Sequence, residues 1–229
     1  MKLKRLVLLS AMVIGLAPLC RGQLSGSVHD FTISRWAAYN STGEVCIVCH
    51  APHGTDPNYA PLWNHTTTTQ NFVTYSGYKF SNVGRGGNGS AAPQPDGASK
   101  MCLSCHDGVT AINEFGGKYQ GPSGAAQLFP YAGMVFAPNG VNATNNNGGL
   151  NSTHPVSFVY DQTLATNDGS LHNPLTTVTS LGGTIDGDLL DQNHKMQCSS
   201  CHEPHDNTIY RFGRISNAGS ALCLTCHAK

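Results

Sequence analysis

Eight cysteines are arranged as four copies of one short pattern, in which two cysteines separated by two residues are followed directly by a histidine. Two thiols one helical turn apart can both bond to one porphyrin, and the adjacent histidine then reaches the iron from the same face. The pattern therefore predicts four covalently attached haems of the c type. The cysteines are Cys46, Cys49, Cys102, Cys105, Cys198, Cys201, Cys223 and Cys226, and the proximal iron ligands are His50, His106, His202 and His227.

Other uses of paired cysteines fit this pattern less well. A disulfide framework needs no histidine after every second cysteine, and a zinc site made of two Cys-x-x-Cys pairs would leave that histidine without a role. A thioredoxin-like redox motif occurs once, near a strand–helix–strand pattern, whereas this motif occurs four times. Haem attachment is the interpretation that gives each residue of the motif a function.

Each haem iron has a second axial position, and the chain holds more histidines than those positions need. Seven of its eleven histidines lie outside the motifs. Methionine is the other common distal ligand, but Met101 and Met196 sit beside motifs and cannot reach the far face of their own haem. We therefore expect two histidine ligands at each iron and comparatively low reduction potentials. The candidate distal ligands are His53, His205, His154, His29 and His65, whereas surface or hydrogen-bonding roles are expected for His172 and His194.

Two of these candidates follow a motif at a spacing that restricts which iron they can bind. His53 lies three residues after His50, and His205 lies three residues after His202. Residues three apart on a helical turn point the same way, whereas the two axial ligands of one iron lie on opposite faces. A proline precedes each candidate and fixes the backbone there. We therefore expect each to bind a neighbouring haem, so that one peptide segment holds two irons close together.

The composition predicts a chain with little regular secondary structure. Of 229 residues, 26 are glycine and 11% are charged, whereas soluble proteins average about 25% charged residues. Glycine, asparagine, serine and threonine favour turns over long helices. We expect a mostly irregular fold with short helices and a few short strands, organised around four covalently bound haems, with little conventional core. The predicted strands cover residues 128–136, 156–160 and 175–181.

The N-terminal residues are typical of a secretory signal peptide. A basic start is followed by an apolar run over residues 6–16, too short to span a membrane, and cleavage is expected after Gly22. The leucine before Cys20 does not suit a lipoprotein site. Removing residues 1–22 takes away four basic and no acidic residues and leaves a formal charge of −4. The chain has no basic run for nucleic acid and no later apolar stretch for a transmembrane helix.

Residues 23–229 are expected to form a single tetrahaem domain. One haem pair would lie in about 23–120 and another in about 150–229, with an Asn/Gly-rich loop over 139–153 between them. Few basic side chains are available to pair with haem propionates, and ordinary surface solvation is the alternative role for them. The candidates are Arg211 and Arg214, which lie between the last two motifs, followed by Arg35 and Arg85.

These residues resemble the exported bacterial multihaem c-type cytochromes of the doubled Cys-x-x-Cys-His class. The chain is also similar to the extracellular tetrahaem cytochromes that polymerise into conductive filaments (the OmcE type), because it combines four motifs with a neutral, polar composition. The Cys-x-x-Cys-His and Cys-His-x-Pro-His elements are specific for haem and not for filament formation. The resemblance runs through residues 29–31, 46–53, 62–65, 102–108, 154–158, 198–205 and 223–227.

The filament resemblance implies a homopolymer with a continuous chain of haems across subunits. In such filaments a distal histidine can come from the neighbouring subunit. His29, near the expected mature N-terminus, is the candidate for that ligand. The partners implied are other redox proteins or extracellular electron acceptors.

Three function classes remain to be weighed. The first is electron transfer, either in an extracellular or cell-surface conduit or in a monomeric periplasmic shuttle. The second is a multihaem reductase, which would need an open axial position with general acids and positive charge beside it. The third is a structural protein with incidental haems, which four covalent attachments disfavour. Electron transfer without catalysis is the expectation, because spare histidines are abundant and basic residues do not cluster.

Overall fold

The computed structural model describes residues 23–36, 38–59, 62–76, 92–128, 135–138 and 149–228, so the predicted signal peptide and most of the Asn/Gly-rich loop lie outside them. This part of the chain is mostly coil with five short α-helices and one two-stranded sheet, which confirms the expected fold class. None of these helices is long and apolar enough to cross a membrane. The elements are α1 (Gly97–His106), β1 (Glu114–Phe115), β2 (Lys118–Tyr119), α2 (Gln162–Asp168), α3 (Ile185–Leu189), α4 (Cys198–Cys201) and α5 (Ala221–Cys226), with 3₁₀ turns at Tyr210–Phe212 and Ala218–Ser220.

The helices are short because local capping stops them. Helix α2 begins where the Asp161 carboxylate accepts a hydrogen bond from the Leu164 amide at 2.9 Å, and it ends at Gly169 with φ of 70°. Helix α3 begins in the same way, where the Thr184 hydroxyl accepts from the Gly187 amide. Side-chain caps at the first turn and a left-handed glycine at the last turn are standard helix boundaries.

The strand predictions for residues 156–160 and 175–181 were wrong, because each segment makes one isolated bridge instead of a ladder. Ser157 has φ of 65°, which breaks the extended backbone in the middle of the first segment. In the second segment the Thr179 amide donates to the Gly183 carbonyl at 2.8 Å, so the chain turns back on itself. Strands β1 and β2 pair antiparallel, with Glu114 opposite Tyr119. The strand predicted over 128–136 lies mostly outside the described residues.

Apolar side chains in the described residues gather in three small clusters instead of one large core. The N-terminal cluster packs against Cys49 and Cys105 of the first two motifs, and the C-terminal cluster packs against Cys226 of the fourth. A third, smaller cluster contains Leu103 of helix α1. Motif cysteines therefore lie at the edges of the clusters, where an attached apolar group would extend them. The N-terminal cluster contains Phe31, Trp36, Val48, Ile112 and Phe115, and the C-terminal cluster contains Phe158, Tyr160, Leu164, Ala165, Ile185 and Met196.

A buried polar network joins the second motif to the third. The Gln197 side chain, 1% exposed, precedes helix α4, and its carbonyl oxygen accepts from the Ser99 amide of helix α1 at 3.2 Å. Its amide nitrogen donates to Asp96 and Asp191, each at 3.0 Å. The Ser99 hydroxyl in turn accepts from the Cys198 amide at 3.0 Å. Satisfied buried networks of this kind fix a unique arrangement, and here they hold two haem-binding helices side by side.

The polypeptide without its cofactors is expected to lack a stable fold, because three small clusters bury too little apolar surface to offset the entropy of ordering the chain. Replacing all eight motif cysteines with alanine should abolish the cooperative thermal transition seen by circular dichroism and give rapid proteolysis. Wild-type protein with its haems attached is the control. A compact, protease-resistant octa-alanine variant would contradict this expectation.

Candidate functional site

Each Cys-x-x-Cys-His motif forms a single turn of helix, which brings its two cysteines to the same side of the backbone. The second, third and fourth motifs lie at the ends of α1, α4 and α5. In the first, third and fourth motifs the histidine amide donates to the carbonyl of the first cysteine, at 2.8, 3.0 and 2.9 Å. None of the eight motif cysteines forms a disulfide bond. The local geometry that haem attachment requires is therefore present in the folded chain.

Three of the four motif histidines each lie opposite one histidine from outside the motifs. Each partner is one of the candidate distal ligands. The ring centres are 6.0 Å apart for His50 and His205, 6.2 Å apart for His106 and His29, and 6.4 Å apart for His227 and His154.

These separations suit two imidazoles that bind one metal ion from opposite sides. Two metal–nitrogen bonds of about 2.0 Å, plus roughly 1.1 Å from each nitrogen to its ring centre, separate the centres of trans ligands by about 6.2 Å. The angles between the ring planes are 26°, 55° and 76°. Such variation is compatible with ligation, because each ring can rotate about its own metal–nitrogen bond. The histidines therefore fit the haem iron that the motifs imply.

In three proposed iron ligands a hydrogen bond at Nδ1 leaves Nε2 available for a metal. These are His154, His202 and His205. Nδ1 of His154 lies 2.8 Å from the Pro155 carbonyl oxygen, and Nδ1 of His202 lies 2.9 Å from the Arg211 carbonyl oxygen. Nδ1 of His205 lies 3.0 Å from a carboxylate oxygen of Glu203. Since these oxygens can only accept, Nδ1 carries a proton, and Nε2 is the nitrogen that remains for a metal. This is the tautomer of histidines that bind a metal through Nε2.

His29 is held in position from several sides. Its amide donates to the Ser27 hydroxyl at 3.2 Å, and its ring stacks on Phe212 with centres 4.6 Å apart and planes at 16°. Burial, followed by the nearby His106, lowers the pKa of His29 to about 4. The imidazole is therefore neutral at neutral pH, as a metal ligand must be. The histidine expected to reach a neighbouring subunit thus lies against His106 of its own chain.

The turn that carries Phe212 adopts an uncommon backbone conformation. Arg211 and Phe212 are consecutive non-glycine residues with φ of 60° and 59°. A non-glycine residue in this region costs of order 1–3 kcal/mol, so such residues persist where the surrounding contacts hold them. Here the turn directs the Arg211 carbonyl to His202 and the buried Phe212 ring to His29. One strained turn therefore contacts both the motif histidine His202 and the non-motif histidine His29.

His65 occupies a different environment from the paired histidines. It is buried, with Nδ1 2.8 Å from the Thr66 carbonyl oxygen and Nε2 3.2 Å from the Ile112 carbonyl oxygen. Nε2 also lies 3.4 Å from the Cys105 sulfur. Both ring nitrogens face backbone carbonyls, so the structure does not bring His65 opposite a motif histidine.

The remaining histidines are found at the surface or in backbone contacts. His194 forms an exposed ion pair with Asp186 at 2.6 Å, which raises the pKa of the histidine. The backbone of His172 is tied to Cys226 and Tyr160 by hydrogen bonds of 2.9 and 2.6 Å. His53 is exposed, and among the described residues neither His53 nor His202 has a ring contact with another histidine.

The first and third motifs are built alike over more than the motif itself. After each of these two motifs the chain forms a loop that is closed by a backbone hydrogen bond. The Ala51 amide donates to the Leu62 carbonyl in the first loop, and the Glu203 amide donates to the Phe212 carbonyl in the second. Leu62 has φ of 54°, in the same left-handed region as Phe212. The residue two positions after the end of each loop also makes the same contact. The Asn64 side chain donates to the carbonyl of residue 47, and the Arg214 side chain donates to the carbonyl of residue 199. The structure therefore contains two copies of one local unit, residues 46–64 and residues 198–214.

Cysteines of motifs that are consecutive in the sequence lie close together in the structure. Cys49 lies near Cys105, and Cys201 lies near Cys223. A hydrogen bond with Cys198, together with burial, raises the pKa of the Cys102 thiol. Burial raises the pKa of the Cys49 and Cys105 thiols to about 12, so both sulfurs are uncharged. Buried positions suit a thioether, which carries no charge.

The arginines considered for haem propionates have protein contacts in the described residues. Arg214 bonds to the Ser199 carbonyl at 2.5 Å and pairs with Glu203 at 3.0 Å. The Arg211 guanidinium lies over the Tyr210 ring, 5.2 Å from its centre. Arg35 also has an interaction partner, and Arg85 lies outside the described residues.

Residues 192–229 match the family described as the doubled CXXCH motif. This stretch contains the third and fourth motifs. The match supports a multihaem protein of the c-type cytochrome class, with covalently bound haem and an electron-transfer role. No curated protein matches the chain.

Replacing Phe212 with alanine tests the positioning of His29. Truncating a buried phenylalanine costs about 3–5 kcal/mol in other proteins, and here it removes the ring stacked on His29. We expect one haem to become partly high-spin in absorption and electron paramagnetic resonance (EPR) spectra, whereas Phe212→Tyr should keep the wild-type spectrum. The control is Tyr210→Ala, which removes a neighbouring side chain that is 81% exposed. A low-spin spectrum in Phe212→Ala equal to that of the control would refute this role.

Proposed function

We propose that this protein is an electron-transfer cytochrome with four covalently attached haems, each iron held between two histidines. The observation that carries the proposal is that three motif histidines each face one other histidine at a separation that suits a shared iron. The motif cysteines hold the porphyrins and the motif histidines are the proximal ligands. The distal ligands within the chain are His205, His29 and His154.

Bound haem supplies a one-electron couple between ferric and ferrous iron. With two histidines at each iron, no coordination site would be open to a substrate, so the protein would conduct electrons without transforming a substrate. The buried network around Gln197 keeps the second and third motifs adjacent. Two imidazole ligands without methionine keep the reduction potentials low.

We propose further that the protein is exported and conducts electrons outside the cell as a polymer. The support for export is the N-terminal segment typical of a signal peptide, and the support for a polymer is the mismatch between the two similar units. His205 of the second unit faces His50 of the first, but His53 of the first unit has no histidine partner in the described residues. His202 likewise lacks an opposing histidine there. A second copy of the chain could supply the missing pair, with His53 of one subunit opposite His202 of the next.

Repetition of that contact would give an open, head-to-tail assembly, because the two surfaces involved are different. The proposal moves the intersubunit role from His29 to His53, since His29 already faces His106 within its own chain.

Bis-histidine ligation predicts a specific result for His154→Ala. This change should convert one haem of four to the high-spin form, because it removes the imidazole opposite His227 and no other iron depends on it. The measurements are the low-spin EPR signal and the intensity of the reduced α-band. Mass spectrometry should still find four covalent haems. His194→Ala, which removes only a surface ion pair, is the matched control. Fewer than four haems in the wild-type protein, or no low-spin α-band, would contradict the proposed function.

The polymer proposal predicts that His53→Ala is secreted as a monomer with one high-spin haem, whereas the wild-type protein forms filaments with low-spin haems only. Electron microscopy and EPR of secreted material provide the measurements, and His194→Ala again serves as control. Filaments of His53→Ala with an unchanged spectrum would refute the proposal. A high-spin haem in wild-type protein would instead indicate an open axial position and favour a reductase.

A further inference from the structure

The two similar units differ in the charge beside their second histidine. The segment that follows the motif is His-Ala-Pro-His in the first unit and His-Glu-Pro-His in the second. At the equivalent position, two residues after the end of the loop, the first unit has Asn64 and the second has Arg214. The second unit therefore carries an ion pair that the first unit lacks, and its location is next to a proposed iron ligand.

The Glu203 carboxylate is divided between two partners. One oxygen lies 3.0 Å from Nδ1 of His205 and also accepts from the His205 amide at 3.3 Å. The other oxygen pairs with Arg214 at 3.0 Å. Arg214 is fixed in turn by its hydrogen bond to the Ser199 carbonyl. The carboxylate is therefore held in place from both the ring side and the arginine side.

His205 differs in this respect from His154 and His202, the other proposed iron ligands whose Nδ1 partner is known. His154 and His202 donate to neutral backbone carbonyls, whereas His205 donates to an anion. A hydrogen bond to a carboxylate is stronger and draws the Nδ1 proton away from the ring. The ring then donates more electron density through Nε2, which makes it a more basic metal ligand. A more basic axial ligand stabilises ferric over ferrous iron.

We propose that Glu203 is a positioning residue that orients His205 and lowers the reduction potential of the haem between His50 and His205 below that of the other haems. Arg214 acts through Glu203, because it competes with His205 for the carboxylate. This competition weakens the effect of the negative charge on the imidazole ring. The inference rests on the proposed bis-histidine function. Its consequence is an uneven series of potentials along the haems, with the electron residing least often on the first haem.

Redox titration of the complete, haem-loaded protein tests the inference, with the α-band and EPR signals followed together. Glu203→Gln keeps a hydrogen-bond acceptor and removes the charge, so one of the four one-electron components should shift to higher potential while all haems stay low-spin. Glu203→Ala reproduces the first unit, which folds with Ala51, and should shift the same component. The control is Glu44→Gln, which removes an equal charge from an exposed side chain. Equal titrations of Glu203→Gln and Glu44→Gln would overturn the inference.

Arg214→Asn provides the opposite change, since Asn64 shows that asparagine can make the equivalent backbone hydrogen bond. This variant should shift the same component to lower potential, and the shift should shrink when Glu203→Gln is also present. An unchanged shift in the double variant would show that Arg214 does not act through Glu203 and would overturn that step. Four low-spin haems without any of these shifts would refute only the role of Glu203. Loss of the low-spin spectrum in wild-type protein would refute the proposed function itself.

Discussion

A pair of imidazole rings that face each other across about 6 Å is the arrangement on which the rest of this structure depends. The imidazole at the end of each motif would lie on one side of the proposed iron site, so the opposing imidazole must come from another segment of the chain. The chain meets that requirement with loops that bring residues 29 and 106, 50 and 205, and 154 and 227 together. Extensive sheets or long helices would restrict such contacts between distant segments, whereas short helices and coil permit them. The irregular fold is thus compatible with the histidine pairs that we propose as iron ligands.

The described residues have little apolar surface to hold these loops, and polar contacts carry much of the organisation. Gln197 connects the second and third motifs through Ser99 and Asp96. Asp107, which directly follows His106, is 1% exposed and accepts from Thr68, Thr110 and the Val109 amide. Buried polar groups stabilise a fold only when their partners are all present. This explains why the networks cluster near the motifs, where the ligands must be held most accurately.

The sequence was sufficient for the features that depend on local spacing. The motif turns, the irregular fold and the position of His205 opposite a histidine of another motif all agree with what residues within a few positions of one another predict. The partners of each histidine depend on contacts between distant segments, which spacing does not encode. His65 resembled a ligand by its neighbours, but the carbonyls of Thr66 and Ile112 surround its ring. Phe212 and Glu203 were missed; only Glu203 had a signal, its place inside the Cys-His-x-Pro-His segment.

The pairing of residues 50 and 205 would also affect how the protein unfolds. Under the proposed ligation, a covalently attached haem with ligands from both ends of the chain would close a loop across most of the protein, as a disulfide does. While the axial bonds stayed intact, the loop would lower the conformational entropy of the unfolded chain, and this effect grows only slowly with loop length. Three such closures, at positions 29 and 106, 50 and 205, and 154 and 227, overlap along the chain. Heat denaturation would then require dissociation of axial ligands as well as disruption of packing, so thermal resistance in this molecule is tied to coordination chemistry.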